Sequence, residues 1–134
     1  MLACGGGGLA GGIACAVDGA VRVVACETVT TNAYEAAVAA GRPVDVDVGG
    51  LAADALGATS IGELPWRALS SAGAVSAIVT DEQLRDALDW LWDSYRLVVE
   101  PSAATPIAAL RSGAFVPSPG EHVGVLLCGA NTTR

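Results

Sequence analysis

The chain has 134 residues, of which 52% are hydrophobic and only 16% charged, and its formal net charge is −7. That composition excludes a disordered tail, and the length predicts one domain, residues 1–134, able to bury about two thirds of its unfolded surface. The basic residues are all arginines and form no stripe, which disfavours nucleic acid and anionic membranes as partners.

Apolar Met1 to Ala3 runs into four glycines, Gly5 to Gly8, and an Ala-rich segment follows. The order reads as strand end, glycine loop, then a helix over Leu9 to Val17. Glycines permit positive φ and close backbone approach to a ligand. Their amides, next to a helix N-terminus, form a cradle for phosphate. Gly6, Gly8 and Gly11 also satisfy G-x-G-x-x-G, and Glu27 stands about 20 residues on, where a Rossmann fold puts its ribose-binding acid. A nucleotide-binding module therefore stays open as a reading of the loop.

Asp18-Gly19 is a turn. Val21 to Cys26 is nearly continuous in apolar residues, as a strand covered on both faces should be. Thr30 to Ala40 reads as a helix stopped by Gly41, with Pro43 beyond. The opening is thus β-loop-α-β-α, the signature of a parallel sheet in an α/β protein. Leu51 to Leu56 is a short helix ended by Gly57, Ile61 to Ser71 another, and Ala74 to Val79 a strand. Thr80 and Gln83 make a capping box. Leu84, Ala87, Leu88, Leu91 and Tyr95 then recur at helical spacing, with Trp90 and Trp92 beside the stripe as core or interface residues. Leu97 to Pro101 is expected as a short strand, Ser102 to Leu110 as a small-residue helix, and Val123 to Leu127 as a buried strand ending in a second glycine turn, Cys128 to Asn131. Strand ends of a parallel sheet share one edge, and ligands bind there.

Cys4, Cys15, Cys26 and Cys128 form no C-x-x-C, and His122 is the only histidine, so no zinc site is expected. Cys4, Cys15 and Cys26 lie in apolar runs and read as small buried thiols, which suits a reducing cytoplasm. No apolar run is long enough for a transmembrane helix.

Three stretches together resemble the serine/threonine dehydratase family of pyridoxal-phosphate (PLP) enzymes, the fold type II, tryptophan-synthase-β-like group. They are Gly5-Gly-Gly-Gly-Leu-Ala-Gly11, Leu97-Val-Val-Glu-Pro-Ser-Ala-Ala104 and Leu126-Leu-Cys-Gly-Ala-Asn131. Glu27-Thr28, Ala40-Gly-Arg42 and Ala55-Leu-Gly57 are similar to the mammalian-type serine dehydratase branch. The resemblance implies the C-terminal portion of that fold, a partial three-layer sandwich on a mainly parallel sheet. It implies that Gly5, Gly6, Gly7, Gly8 and Leu9 bind the PLP phosphate. It also implies that Cys128 faces the ring nitrogen, with Gly129 letting the backbone pass close. Glu27 matches a cation-site carboxylate, which the carbonyls of Gly5, Thr31, Leu56 and Ala58 would complete for K⁺, Mg²⁺ or Ca²⁺. Ala33 departs from that pattern, where relatives offer a side-chain oxygen. Glu100 falls near the cofactor in the family and is otherwise a solvated loop acid.

The family's Ser-x-Lys motif, whose lysine holds the cofactor, and its carboxylate-gripping Asn loop have no counterpart in this sequence. The resemblance thus implies a truncated or split L-serine/L-threonine ammonia-lyase, inactive alone, completed by an N-terminal part or a dimer partner. Self-association through the faces left uncovered is expected. The remaining alternatives are the nucleotide-binding module and a non-catalytic remnant that binds a small anion.

Overall fold

The computed structural model describes residues 1–133. Three parallel strands, β1 (Leu2–Ala3), β2 (Val24–Thr28) and β3 (Val75–Val79), form a sheet in that order. Leu2 stands opposite Ala25, and Val24 to Thr28 face Val75 to Val79 in register. Six helices surround them: α1 (Gly8–Val17), α2 (Ala33–Ala40), α3 (Ala53–Leu56), α4 (Glu63–Ser71), α5 (Asp81–Tyr95) and α6 (Pro101–Ser112).

The two-residue periodicity of the strands sorts the core into two layers. Leu2, Cys4, Val23 and Ala25 point to one face, where they pack with Ala10, Ala14, Tyr34 and Leu69 from α1, α2 and α4 and with Ile61 just before α4. Ala3, Val24, Cys26, Ala77 and Val79 point to the other and meet Leu84, Ala87, Leu91, Ala104 and Ala108 of α5 and α6. Helices on both faces explain why β2 is buried along its whole length, its polar Glu27 and Thr28 included.

Small residues set the spacing of these layers. Ala103, Ala104, Ala108 and Ala109 of α6 have no exposed surface, so the helix backbone lies close to the sheet. Pro106 sits inside α6 and removes the amide that Ser102 would have bonded. The Thr105 hydroxyl takes over, donating to the Ser102 carbonyl at 2.8 Å. On the other face, a Cβ on Gly11 would fall 2.9 Å from Pro65 Cα, so glycine there permits the close α1–α4 crossing. The Thr80–Gln83 capping box forms as expected and opens α5.

Five expectations need correction. β2 starts at Val24 rather than Val21 and runs on to Thr28, and α2 starts at Ala33, because Thr28 to Thr31 fold into a hydroxyl-bonded turn. Leu97 to Glu100 forms no strand: Arg96 ends α5 in the left-handed conformation, and no ladder partner lies alongside among the described residues. Val123 to Leu127 is extended, yet it is neither buried nor a full strand. Among the described residues its backbone pairs only with Met1, through Met1 N donating to Gly124 O at 2.7 Å and Leu126 N to Met1 O at 3.0 Å. Its residues alternate between half-buried and exposed. Cys15 is exposed, because it lies on the outer side of α1 rather than against the sheet.

Candidate active site

The C-terminal end of β1 leads directly into the glycine loop. Gly7 adopts φ 85° and stands at the N-cap of α1, the conformation for which glycine is suited. Its missing side chain also matters for packing, since a Cβ would lie 2.7 Å from Pro65 Cβ and 2.9 Å from Ile61 Cγ1. Gly5 is similarly tight, 3.1 Å from Leu56 Cα, whereas a Cβ on Gly8 would meet nothing within 4 Å. Gly7 is thus required by the fold and Gly5 is tightly packed, whereas Gly6 and Gly8 are exposed. The first amide of this stretch with an acceptor in the chain is that of Gly11, which donates to Gly7 O at 2.7 Å. The amides of Gly5 to Ala10 find no acceptor among the described residues, so they are available to an anion.

A cleft of about 220 Å³ opens over these amides. Gly5 to Leu9 form one wall. Leu56 and Ala55 of α3 lie beside it, and Glu100, Ser102 and Cys128 line the rest. The structure therefore brings the glycine loop and Cys128 to one cleft, although they are far apart in sequence. Gly129 is not among the residues lining the cleft; it lies beside the carboxyl group of Glu100, which occupies the space a Cβ would take. Glu100 is neither free nor simply solvated. Its Oε1 accepts from Ser102 Oγ at 2.6 Å and its Oε2 from Asn131 N at 3.2 Å. Sequence reasoning missed Ser102, for which no signal exists beyond its place after Pro101 at the start of α6.

Glu27 has no exposed surface. Its Oε1 accepts from Tyr34 N at 2.8 Å and its Oε2 from Glu35 N at 2.9 Å, so the side chain caps α2 from within the core. This position rules out the ribose-binding role of the nucleotide-module reading, because the carboxylate is turned into a helix terminus and away from the cleft. Burial pushes its pKa up to about 7, against the smaller opposing effect of the two amides. Burial also raises the Cys4 thiol, and raises Cys26 to about 12, so both stay neutral at physiological pH.

The raised pKa of Glu27 has a consequence for stability. Its ordinary value is 4.5, so the buried acid favours folding fully below that pH and loses this contribution as pH rises towards about 7. The loss amounts to about 3 kcal/mol at alkaline pH. In urea melts without added metal cations, the wild type is expected to lose stability between pH 5 and pH 8. Glu27→Gln, which cannot ionise, should show little of that slope. Parallel pH profiles for the two proteins would contradict the assignment.

Among the described residues, no group of three or more His, Cys, Asp or Glu side chains is placed to hold a metal. No helix among them is long and apolar enough to cross a membrane.

Comparison with known proteins agrees with this geometry. The profile of the family described as pyridoxal-phosphate dependent enzymes matches residues 1–129. Phenylserine dehydratase of Ralstonia pickettii is 34% identical over 96% of this chain and 40% of its own length. The solved threonine deaminase of T.th. superposes with a TM-score of 0.86 at 29% identity, covering 99% of this chain and 49% of that one. Maize serine racemase superposes with a TM-score of 0.85 at 25% identity, covering 98% of this chain and 42% of that one. The chain thus spans less than half the length of these relatives.

Proposed function

The chain belongs to the pyridoxal-phosphate-dependent enzyme family, and on that premise we propose that it is the cofactor-binding portion of an L-serine or L-threonine dehydratase. The observation that carries the reading is that one cleft is lined both by the glycine loop, whose amides are unpaired among the described residues, and by Cys128. Such a lining offers donors to an anionic group and a near-neutral thiol to the rest of a ligand. The amides of Gly5 to Gly8 and Leu9 would hold the phosphate, and α1 would add the positive end of its dipole. Cys128 would face the ring nitrogen. A thiol would be a weak partner there, unlike a carboxylate, and would leave the nitrogen unprotonated. Bound in this cleft, PLP supplies an electron sink for chemistry at the amino-acid α-carbon. A weaker sink suits β-elimination, which releases a 2-oxo acid and ammonia. The lysine that the family uses comes from an N-terminal part or a partner chain.

The reading is tested by competition. Titrated PLP should bind reversibly, without borohydride-trapped adduct on any side chain, and inorganic phosphate should displace it. PLP binding that is indifferent to phosphate would refute the cradle.

We further propose that Glu27 and the carbonyls of Gly5, Thr31, Leu56 and Ala58 hold a hard cation, K⁺ or Mg²⁺/Ca²⁺. Two observations support it. The Gly5 and Leu56 backbones abut, and each Glu27 oxygen accepts only one amide, leaving acceptor capacity on both. Potassium or calcium chloride should raise the melting temperature above that in tetramethylammonium chloride of equal ionic strength. The effect should disappear in Glu27→Gln, and no difference between the salts in the wild type would remove the ion from the proposal.

A further inference from the structure

We propose that Glu100 is the positioning residue of the cleft's far wall, holding the Cys128–Asn131 turn in place; this rests on the reading of Cys128 given above. The turn lacks support of the usual kind. It follows an extended segment that is tied to the sheet through Met1 alone, and Cys128 itself is exposed. What fixes it comes from Glu100. The Glu100 amide donates to Gly129 O at 3.1 Å, and the carboxylate accepts from Asn131 N at 3.2 Å. The same carboxyl group occupies the space beside Gly129 that a Cβ would take, so a side chain there would displace it. The residues on either side of the turn's centre are therefore gripped by one side chain and its own backbone.

Glu100 is in turn well anchored. It is the N-cap residue of α6, with Pro101 opening the helix and Ala103 N donating to Glu100 O at 3.0 Å. Ser102, buried at 2% exposure, orients the carboxylate through its 2.6 Å hydrogen bond. The line of support runs from a helix packed on the sheet, through Ser102 and Glu100, to the turn that carries Cys128. A hydrogen bond to a charged acceptor is stronger than a neutral one, but this clamp depends on geometry. Glutamine can reproduce it, with its oxygen accepting from Asn131 N and its NH₂ donating to Ser102 Oγ. A carboxylate acting directly on a ligand could not be replaced in that way.

The test compares Glu100→Ala with Glu100→Gln by amide hydrogen exchange, using β2 amides as an internal reference. In Glu100→Ala, exchange of the Asn131 amide should rise by at least about tenfold with β2 unchanged, and the rate of Cys128 alkylation should change with it. Glu100→Gln should stay near the wild type in both. Unaltered Asn131 exchange in Glu100→Ala would overturn the assignment, as would a Glu100→Gln variant that behaves like alanine. A rise shared by the β2 amides would make Glu100 a residue of the general fold and would equally overturn it. Ligand titration adds a second readout. Glu100→Ala should keep the wild-type affinity for inorganic phosphate and lose the additional affinity for PLP over phosphate. Absence of phosphate affinity in the wild type would count against the cofactor reading, while the exchange data would still decide the role of Glu100.

Discussion

Gly8→Val is expected to abolish phosphate and PLP binding while leaving the fold intact, and Gly7→Ala to do the reverse damage, destabilising the fold itself. The two neighbours differ in what surrounds them. Gly8 opens α1 with an amide that has no acceptor among the described residues, and a Cβ there meets no described atom within 4 Å. Valine at that position crowds only the space an anion would enter. Gly7 has φ 85° and would press a Cβ into Pro65 and Ile61. Adopting the left-handed conformation costs a residue with a side chain about 1–2 kcal/mol, and overpacking a further 1–3 kcal/mol. Their sum is a large share of the stability of a domain of this size. Isothermal titration with phosphate, alongside urea denaturation of both variants, separates the effects. Wild-type phosphate affinity in Gly8→Val would remove the cradle from the proposed function.

The 134-residue chain by itself is expected to release no ammonia from L-serine or L-threonine. Chemistry of this type needs an amine that holds the cofactor and moves the α-proton. The seven basic residues are all arginines, and a guanidinium stays protonated and is a poor nucleophile. The remaining amine, at Met1, donates to the Gly124 carbonyl and is engaged in the edge of the sheet. Co-expression with a lysine-bearing N-terminal polypeptide of the same family should produce turnover together with a borohydride-trapped lysine adduct on that polypeptide. Deaminase turnover by this chain alone, purified free of host dehydratase, would defeat the expectation.

The sequence made some of this architecture readable and concealed the rest for identifiable reasons. Helices α5 and α6 and the turns at Gly41 and Gly73 follow from caps, spacing and positive φ, all of which are local. β2 was readable as buried because helices cover both faces. Its boundaries were not, since the turn from Thr28 to Thr31 depends on hydroxyl hydrogen bonds that propensity does not register. Val123 to Leu127 is as apolar as a central strand, and only its place beside the two-residue β1 leaves it half-covered. At the cleft, the glycine loop and the Cys128 turn announce themselves as strand-end glycines. The resemblance points to Glu100 as well, but its hold on the turn was not legible, because its partner Asn131 lies 31 positions along the chain and the bond is to a backbone amide. Glu27 misleads for a related reason. Its spacing suits a ribose, yet its oxygens are committed to the first turn of α2.

The alanines of α6 bear on how this protein can be mapped by mutation. Ala103, Ala104, Ala108 and Ala109 hold the helix against the sheet with no side chain beyond a methyl group. A conventional alanine scan would pass over those positions in silence and report a helix with few sensitive sites. Enlargement is the informative direction there. A scan with valine or leucine would push the helix off the strands, and through Ser102 and Glu100 the displacement would be transmitted to the wall of the cleft. Variants far from any ligand would then behave as binding mutants, and a library built only by truncation would never sample them.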